Sequence, residues 1–212
     1  MAYLLGKDVR VFISTEDPTY GISQSGSTMS AESWSATSLL SDFIIPPLKT
    51  NAAWAGTEAD VTGSQPARAR EITSIDGCDP LLDKQREDID FLGRTLTDHI
   101  AIRTDGEVTV TKKMDSNEWS ILYALADMGV TGSGLNPATQ QTVTNSGFRV
   151  FIRLSSGTGS GHTWISYRNA TFAGHKVTPG SAKVTVEQLK FESNLYNVKL
   201  VPETKSTTLA EL

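Results

Sequence analysis

The 212-residue sequence is 38% hydrophobic and 20% charged, with 17 glycines and a net charge of −5. That balance excludes a coiled coil, a collagen-like fibre and a wholly disordered chain, and its acidity argues against a protein that grips nucleic acid by its phosphates. A chain of this length buries roughly 70% of its unfolded surface, so it needs neither metal nor disulfide to hold a core, and the single cysteine, Cys78, allows no intrachain disulfide.

The opening residues are apolar for only a few positions before Lys7 and Asp8, too few for the core of a signal peptide. No apolar run approaches the roughly 20 residues of a membrane helix; the expectation is a soluble chain with no membrane partner. Val9-Arg-Val-Phe-Ile13 reads as the first strand. From 14 to about 70 the composition turns to Ser, Thr, Gly and Ala, interrupted by Trp34, Leu39, Leu40, Phe43, Ile44, Ile45 and Trp54. No period of 2 or 3.6 shows, so this segment reads as an extended arm. An irregular stretch of that length inside a compact domain points to binding.

Glu71-Ile-Thr-Ser-Ile75 resumes the regular part, with turns read at Asp76-Gly77 and Asp79-Pro80. Residues 99–103 and 107–111 alternate, and Thr104-Asp105-Gly106 between them predicts a hairpin that buries Ile100, Ile102, Val108 and Val110 on one face. A helix follows from about Ser116 to Met128, capped by Asp115 with Glu118 three residues on. Trp119, Leu122 and Leu125 lie on its apolar stripe and should pack on a sheet. Residues 130–146 read as an uncharged loop. Phe148, Val150, Ile152 and Leu154 mark a strand, with a turn at 155–161. Strands at 164–167, 171–177 and 184–196 complete the set, with a Pro179-Gly180 turn and a bulge where the apolar parity shifts between Val186 and Leu189. Beyond Pro202 the tail is polar and expected to be mobile. The sum is about seven strands and one helix, an α+β pattern dominated by antiparallel sheet.

Chemistry-bearing constellations are missing from the sequence. His99, His162 and His175 are too far apart to read as a metal site. Cys78 has no basic residue before Lys84 to activate it. Gly157-Thr-Gly-Ser-Gly161 joins two antiparallel strands with no helix and no following lysine, so it reads as a hairpin loop rather than a nucleophile elbow or phosphate loop. The acidic run Asp83, Glu87, Asp88 and Asp90 includes Lys84 and Arg86 and lacks a cation-loop glycine pattern. The expectation is a non-enzyme with no cofactor and no metal.

The order of several segments carries a resemblance. Gly6-Lys-Asp-Val-Arg-Val-Phe-Ile13, Gln85-Arg-Glu-Asp-Ile-Asp-Phe-Leu-Gly93 and Glu107-Val-Thr-Val-Thr-Lys-Lys113 leading into Asp115-Ser-Asn-Glu-Trp-Ser-Ile-Leu122 come first. Arg149-Val-Phe-Ile-Arg153, Trp164-Ile-Ser-Tyr-Arg-Asn-Ala-Thr-Phe172 and Lys183-Val-Thr-Val-Glu187 close the series. Together, over about two thirds of the chain, they resemble the phage tail tube (major tail) proteins. The resemblance implies two packed β-sheets with a flanking helix, a single tail-tube domain over 1–212 carrying the 14–70 arm and a 202–212 tail, and six copies closing a ring. Stacked rings would form the tube through which DNA passes to the host without specific binding. Implied partners are further copies of the chain and other tail proteins such as sheath, terminator, baseplate or tape measure. Implied locations are the virion tail and, during assembly, the host cytoplasm.

Within that frame Asp83, Glu87, Asp88, Asp105 and Glu107 are the candidates for an acidic lumen lining, since a conduit for a polyanion should repel it. Trp34, Phe43, Ile44 and Trp54 are the candidate anchors between subunits or rings. Two other readings compete: the tube of a phage-tail-like injection machine that delivers proteins, and a virion β-sandwich for decoration or carbohydrate binding. The latter would present an aromatic platform, whereas Trp164 and Tyr167 fall on opposite faces of their strand.

Overall fold

The computed structural model describes residues 9–16, 20–25, 28–33, 43–48, 53–54, 69–89, 98–128, 147–155, 162–180, 184–201 and 207–208. In chain order these form β1 (Arg10–Thr15), β2 (Tyr20–Ser25), β3 (Thr28–Ser33), β4 (Phe43–Ile45), β5 (Ala53–Trp54), β6 (Arg70–Ile72), β7 (Ile75–Ile89), β8 (Asp98–Lys113), helix α1 (Glu118–Met128), β9 (Phe148–Ser155), β10 (His162–Thr178), β11 (Val186–Ser193), β12 (Leu195–Val201) and β13 (Thr207–Thr208). The main sheet runs β6-β1-β9-β10-β11-β8-β7, with β12 also on β10, and all its pairings are antiparallel. The mainly antiparallel architecture, with one helix among the described residues, is as expected from sequence. Two separate sheets are not what the strands form; they link as one open sheet through β10.

β10 makes that link because it is long and bent. Residues 162–170 pair with β9, 162–168 with β12, and 171–178 with β11. Its register shifts between Tyr167 and Ala170 and again between Phe172 and Gly174. Asn169, between them, sits at φ 47°, in the left-handed region that asparagine tolerates. Bulges bend a strand and re-aim its side chains. The two strands read at 164–167 and 171–177 are thus one continuous strand that turns from the β1–β9 half of the sheet into the β11–β8–β7 half.

Alternation sets the core. Val11, Ile13, Phe148, Val150, Ile152, Ile165 and Tyr167 from one half join Val108, Val110, Phe172, Leu189 and Phe191 from the other in a single buried cluster. Trp119 and Leu122 of α1 close it. Trp119 meets Phe172 edge-on at 6.4 Å and Tyr123 meets the same ring at 5.2 Å, which seats the helix over the far half of β10. The Leu125 side chain lies outside the described residues. The cap differs from expectation. Asp115 spends its carboxylate on Lys112 Nζ at 2.7 Å and on the Ser74 hydroxyl, so the first helical bond runs from Ile121 N–H to the Asn117 carbonyl. In the β1–β9 half the opposite face is buried too: Phe12, Phe151 and Trp164 are fully covered, with Phe12 and Trp164 rings 5.9 Å apart.

Three turn readings are overturned. Asp76-Gly77 and Asp79-Pro80 lie inside β7, with a register shift between Ile75 and Gly77. Pro80 is tolerated because β7 is an edge strand, paired only with β8 among the described residues. Asp105-Gly106 lies inside β8, where Gly106 pairs with Leu82 on one side and Ser193 on the other. The bulge expected between Val186 and Leu189 is absent, since β11 pairs with β8 in unbroken register. The apolar parity shifts because the inward position next to Val186 is filled by a charged residue, Glu187.

The 14–70 segment is not a plain loop. β2, β3 and β4 make a three-stranded sheet, and Thr15 bridges Pro47 with a bond from Leu48 N–H to the Thr15 carbonyl at 2.8 Å. Ile22 and Ile45 belong to the chain's own core. β2 and β3 pair antiparallel in unbroken register from Tyr20–Ser33 to Ser25–Thr28. β5 pairs with β13, tying Trp54 to Thr207. The 130–146 loop, most of the 155–161 turn and residues 202–206 lie outside the described residues.

Candidate assembly surface

The β10–β11–β8–β7 half has one face in the core and one open. Pairing registers place Asp83 beside Asp105, then Leu81, Glu107, Glu192 and Thr171 in one row. The next row holds Asp79, Thr109, Lys190 and Gly174, and the last Gly77, Thr111, Gln188 and Lys176. Side chains at alternate positions share a face, so this surface carries carboxylates at one end and threonine, glutamine and lysine at the other. Asp79, Leu81, Asp83, Glu192 and Lys176 are exposed.

Three of the five predicted lumen residues, Asp83, Asp105 and Glu107, thus share this open face. Glu87 and Asp88 lie in β7 opposite Ile100 and His99, but their side chains are outside the described residues. The sequence reading missed Lys190 and Glu192. Lys190 Nζ contacts Glu107 Oε2 at 3.1 Å and Glu192 Oε1 at 2.8 Å, and these hydrogen bonds, to Glu192 and then Glu107, raise the Lys190 pKa above its ordinary value. The parity of β11 was the available signal, since Gln188, Lys190 and Glu192 alternate with the buried Leu189 and Phe191.

Beneath this surface a buried charged group locks the strands together. Lys112, 1% exposed, meets Glu187, 0% exposed, at 2.9 Å across the β8–β11 pair. The other Glu187 oxygen is 3.1 Å from His175 Nε2, and Lys112 also reaches Asp115. Tyr123 of α1 leans on the His175 ring at 6.0 Å. Burial alone would raise the Asp115 carboxyl, but the hydrogen bond and charge of Lys112, with Ser74, hold it below its ordinary value. A second tie comes from Tyr167, whose hydroxyl donates to the Leu81 carbonyl of the edge strand at 3.2 Å. Cys78 faces Val110; burial, then Asp79, push its thiol up to about 12, which leaves it protonated and unreactive at neutral pH.

Elsewhere, a cleft of about 400 Å³ is lined by Glu16, Arg149, Arg168, Asn169 and Tyr196. Its floor is a two-pronged pair: Arg149 Nε and Nη2 donate to Glu16 at 2.9 and 2.7 Å, and Asn169 N–H adds a bond of 2.7 Å. The pair ties the end of β1 to β9, and the Asn169 bond ties it to the bend of β10. Among the described residues no three His, Cys, Asp or Glu side chains converge on a metal position, and no helix is long and apolar enough to cross a membrane. Of the proposed anchors, Trp34 lies outside the described residues. Phe43, Ile44 and Trp54 are placed in β4 and β5 by backbone only.

No protein-family model matches the chain, and no curated protein matches its sequence. Some solved structures resemble it over part or most of their length. One is a hybrid solid-state NMR and cryo-EM structure of the SPP1 tail tube (TM-score 0.45, 10% identity, 96% of this chain and 81% of that one). Another is the sheath-tube complex of PVC, an extracellular contractile injection system, in the extended state (TM-score 0.42, 12% identity, 62% and 84%). A third is a type six secretion system protein (TM-score 0.39, 10% identity, 89% and 82%).

Proposed function

We propose that this chain is the structural subunit of a phage tail tube. Six copies close a ring through their sheet edges, rings stack into a tube, and the open acidic face turns to the lumen through which DNA passes. The chain acts as one domain in the virion tail, without catalysis, and meets sheath, terminator, baseplate and tape measure there. The observation that carries the reading is the edge strand β7. It is 15 residues long, has β8 as its one strand partner among the described residues, and exposes Leu81 (52%) and Leu82 (36%). At the other side of the same half, 171–178 of β10 has β11 as its one described strand partner. A sheet with two open edges is a template for edge-to-edge addition, and a repeated head-to-tail contact whose rotation closes makes a ring.

Within the ring the two edges of neighbouring copies would meet, so the inner sheet would continue around the lumen. The acidic strip at Asp83, Asp105 and Glu107 repels a polyanion that must slide. The N-terminal segment bridges copies or rings through Trp34, Phe43, Ile44 and Trp54. Negative-stain microscopy and light scattering of the purified protein test the assembly. Rings or tubes are the expected result, and Leu81→Lys with Leu82→Lys should yield folded monomers, because lysines on an edge oppose pairing. A wild-type protein that stays monomeric at every concentration overturns the reading.

A further inference from the structure

Lysine on the lining of a DNA conduit is a liability, because each phosphate contact adds salt-dependent affinity. Lys190 stands in the middle row of the open face, yet its ammonium is held between two carboxylates, Glu192 Oε1 at 2.8 Å and Glu107 Oε2 at 3.1 Å. Glu107 and Glu192 are direct cross-strand partners, an arrangement of like charges that is unfavourable by itself. Lys190, one row away, relieves it. The Thr109 hydroxyl donates to the other Glu107 oxygen at 3.4 Å and helps hold that carboxylate in place. Lys113, at the end of the same strand as Glu107, is likewise set against Asp76 at 3.6 Å.

We infer that Glu107 and Glu192 are charge masks: they occupy the Lys190 ammonium so that this lysine does not hold nucleic acid phosphates. The trio keeps a net charge of −1, so the surface repels a polyanion while the three side chains satisfy one another. This deepens the tube reading and rests on it for its biological sense, but the chemistry is testable on the isolated chain.

The test uses the full chain and a fluorescein-labelled 20-base-pair DNA duplex at low salt, read by anisotropy. Glu107→Gln with Glu192→Gln should bind the duplex about tenfold tighter than wild type, with the gain lost as salt rises. Adding Lys190→Gln to that pair should return binding to the wild-type level. Circular dichroism on all three proteins verifies that the fold is kept. If the double variant binds no better than wild type, the masking role is overturned. It is also overturned if the triple variant binds as well as the double, since loss of acidic charge alone would then explain the gain. Microscopy of the same proteins reports tubes separately, so failure of the mask and failure of the tube reading give different results.

Discussion

The Tyr167 ring packs against Gly106 through its Cδ1–Cε1 edge. A methyl group added to Gly106 would stand 2.9 Å from the Cδ1 and Cε1 atoms of that ring and 2.9 Å from the Ser193 carbonyl oxygen. The ring comes from the part of β10 paired with β9, and the glycine from the middle of β8, so the contact joins the two halves of the open sheet. It also carries the Tyr167 hydroxyl to the Leu81 carbonyl. Gly106→Ala should therefore destabilise the chain by about 1–3 kcal/mol through overpacking. Tyr167→Phe should cost about 1 kcal/mol for the lost bond. Urea unfolding followed by tryptophan fluorescence measures both, and an alanine variant as stable as wild type would mean that the ring moves aside freely.

The buried pair gives an asymmetric outcome. Lys112→Met leaves the Glu187 carboxylate buried against His175 without its strongest partner and should cost about 3–5 kcal/mol. Lys112→Met with Glu187→Leu removes both charges and should regain most of that loss, because an apolar pair of similar volume is often as stable as a buried ion pair. A double-mutant cycle by chemical denaturation provides the coupling. Additive losses would show that the two residues act independently.

Helix α1 depends on Leu122, which is 0% exposed in the shared core. Leu122→Ala should cost about 2–5 kcal/mol, visible as a lower denaturation midpoint with unchanged m-value. Ile45, also 0% exposed, should lose a similar amount on change to alanine. That second result would check that β4 packs on its own subunit before any assembly.

Asp115 makes stability depend on pH at the acid end. Its carboxyl sits below its ordinary value, largely through Lys112 once burial is overcome. A depressed folded-state value means that its contribution is fully present above the unfolded value of about 3.9 and is lost as pH falls through the folded value. Asp115→Asn should be less stable than wild type at pH 7, and the gap should close below about pH 4. Thermal melts from pH 7 to pH 2.5 follow this; a gap that is constant across the series would place the effect elsewhere.

Strict alternation in 148–154 and the helical stripe through Trp119 and Leu122 were determined by sequence alone, because burial on one side forces a period of 2 or 3.6. The mainly antiparallel class and the place of Glu107 in a strand followed from the same periodicity, whereas Asp83 and Asp105 lie inside β7 and β8. What local sequence could not decide was every place where a distant partner overrides a local preference. Asp105-Gly106 has the composition of a turn, yet it continues a strand because Gly106 is the residue against which the Tyr167 ring can pack. Glu187 takes an inward position because Lys112 and His175 wait there. The strands of the 14–70 segment escaped notice because their sequence lacks the apolar alternation that marks a strand, although Ile22 and Ile45 do reach the core. Lys190 gained its meaning only when β11 was laid beside β8, since its two carboxylate neighbours come from both strands and only pairing brings them to one ammonium.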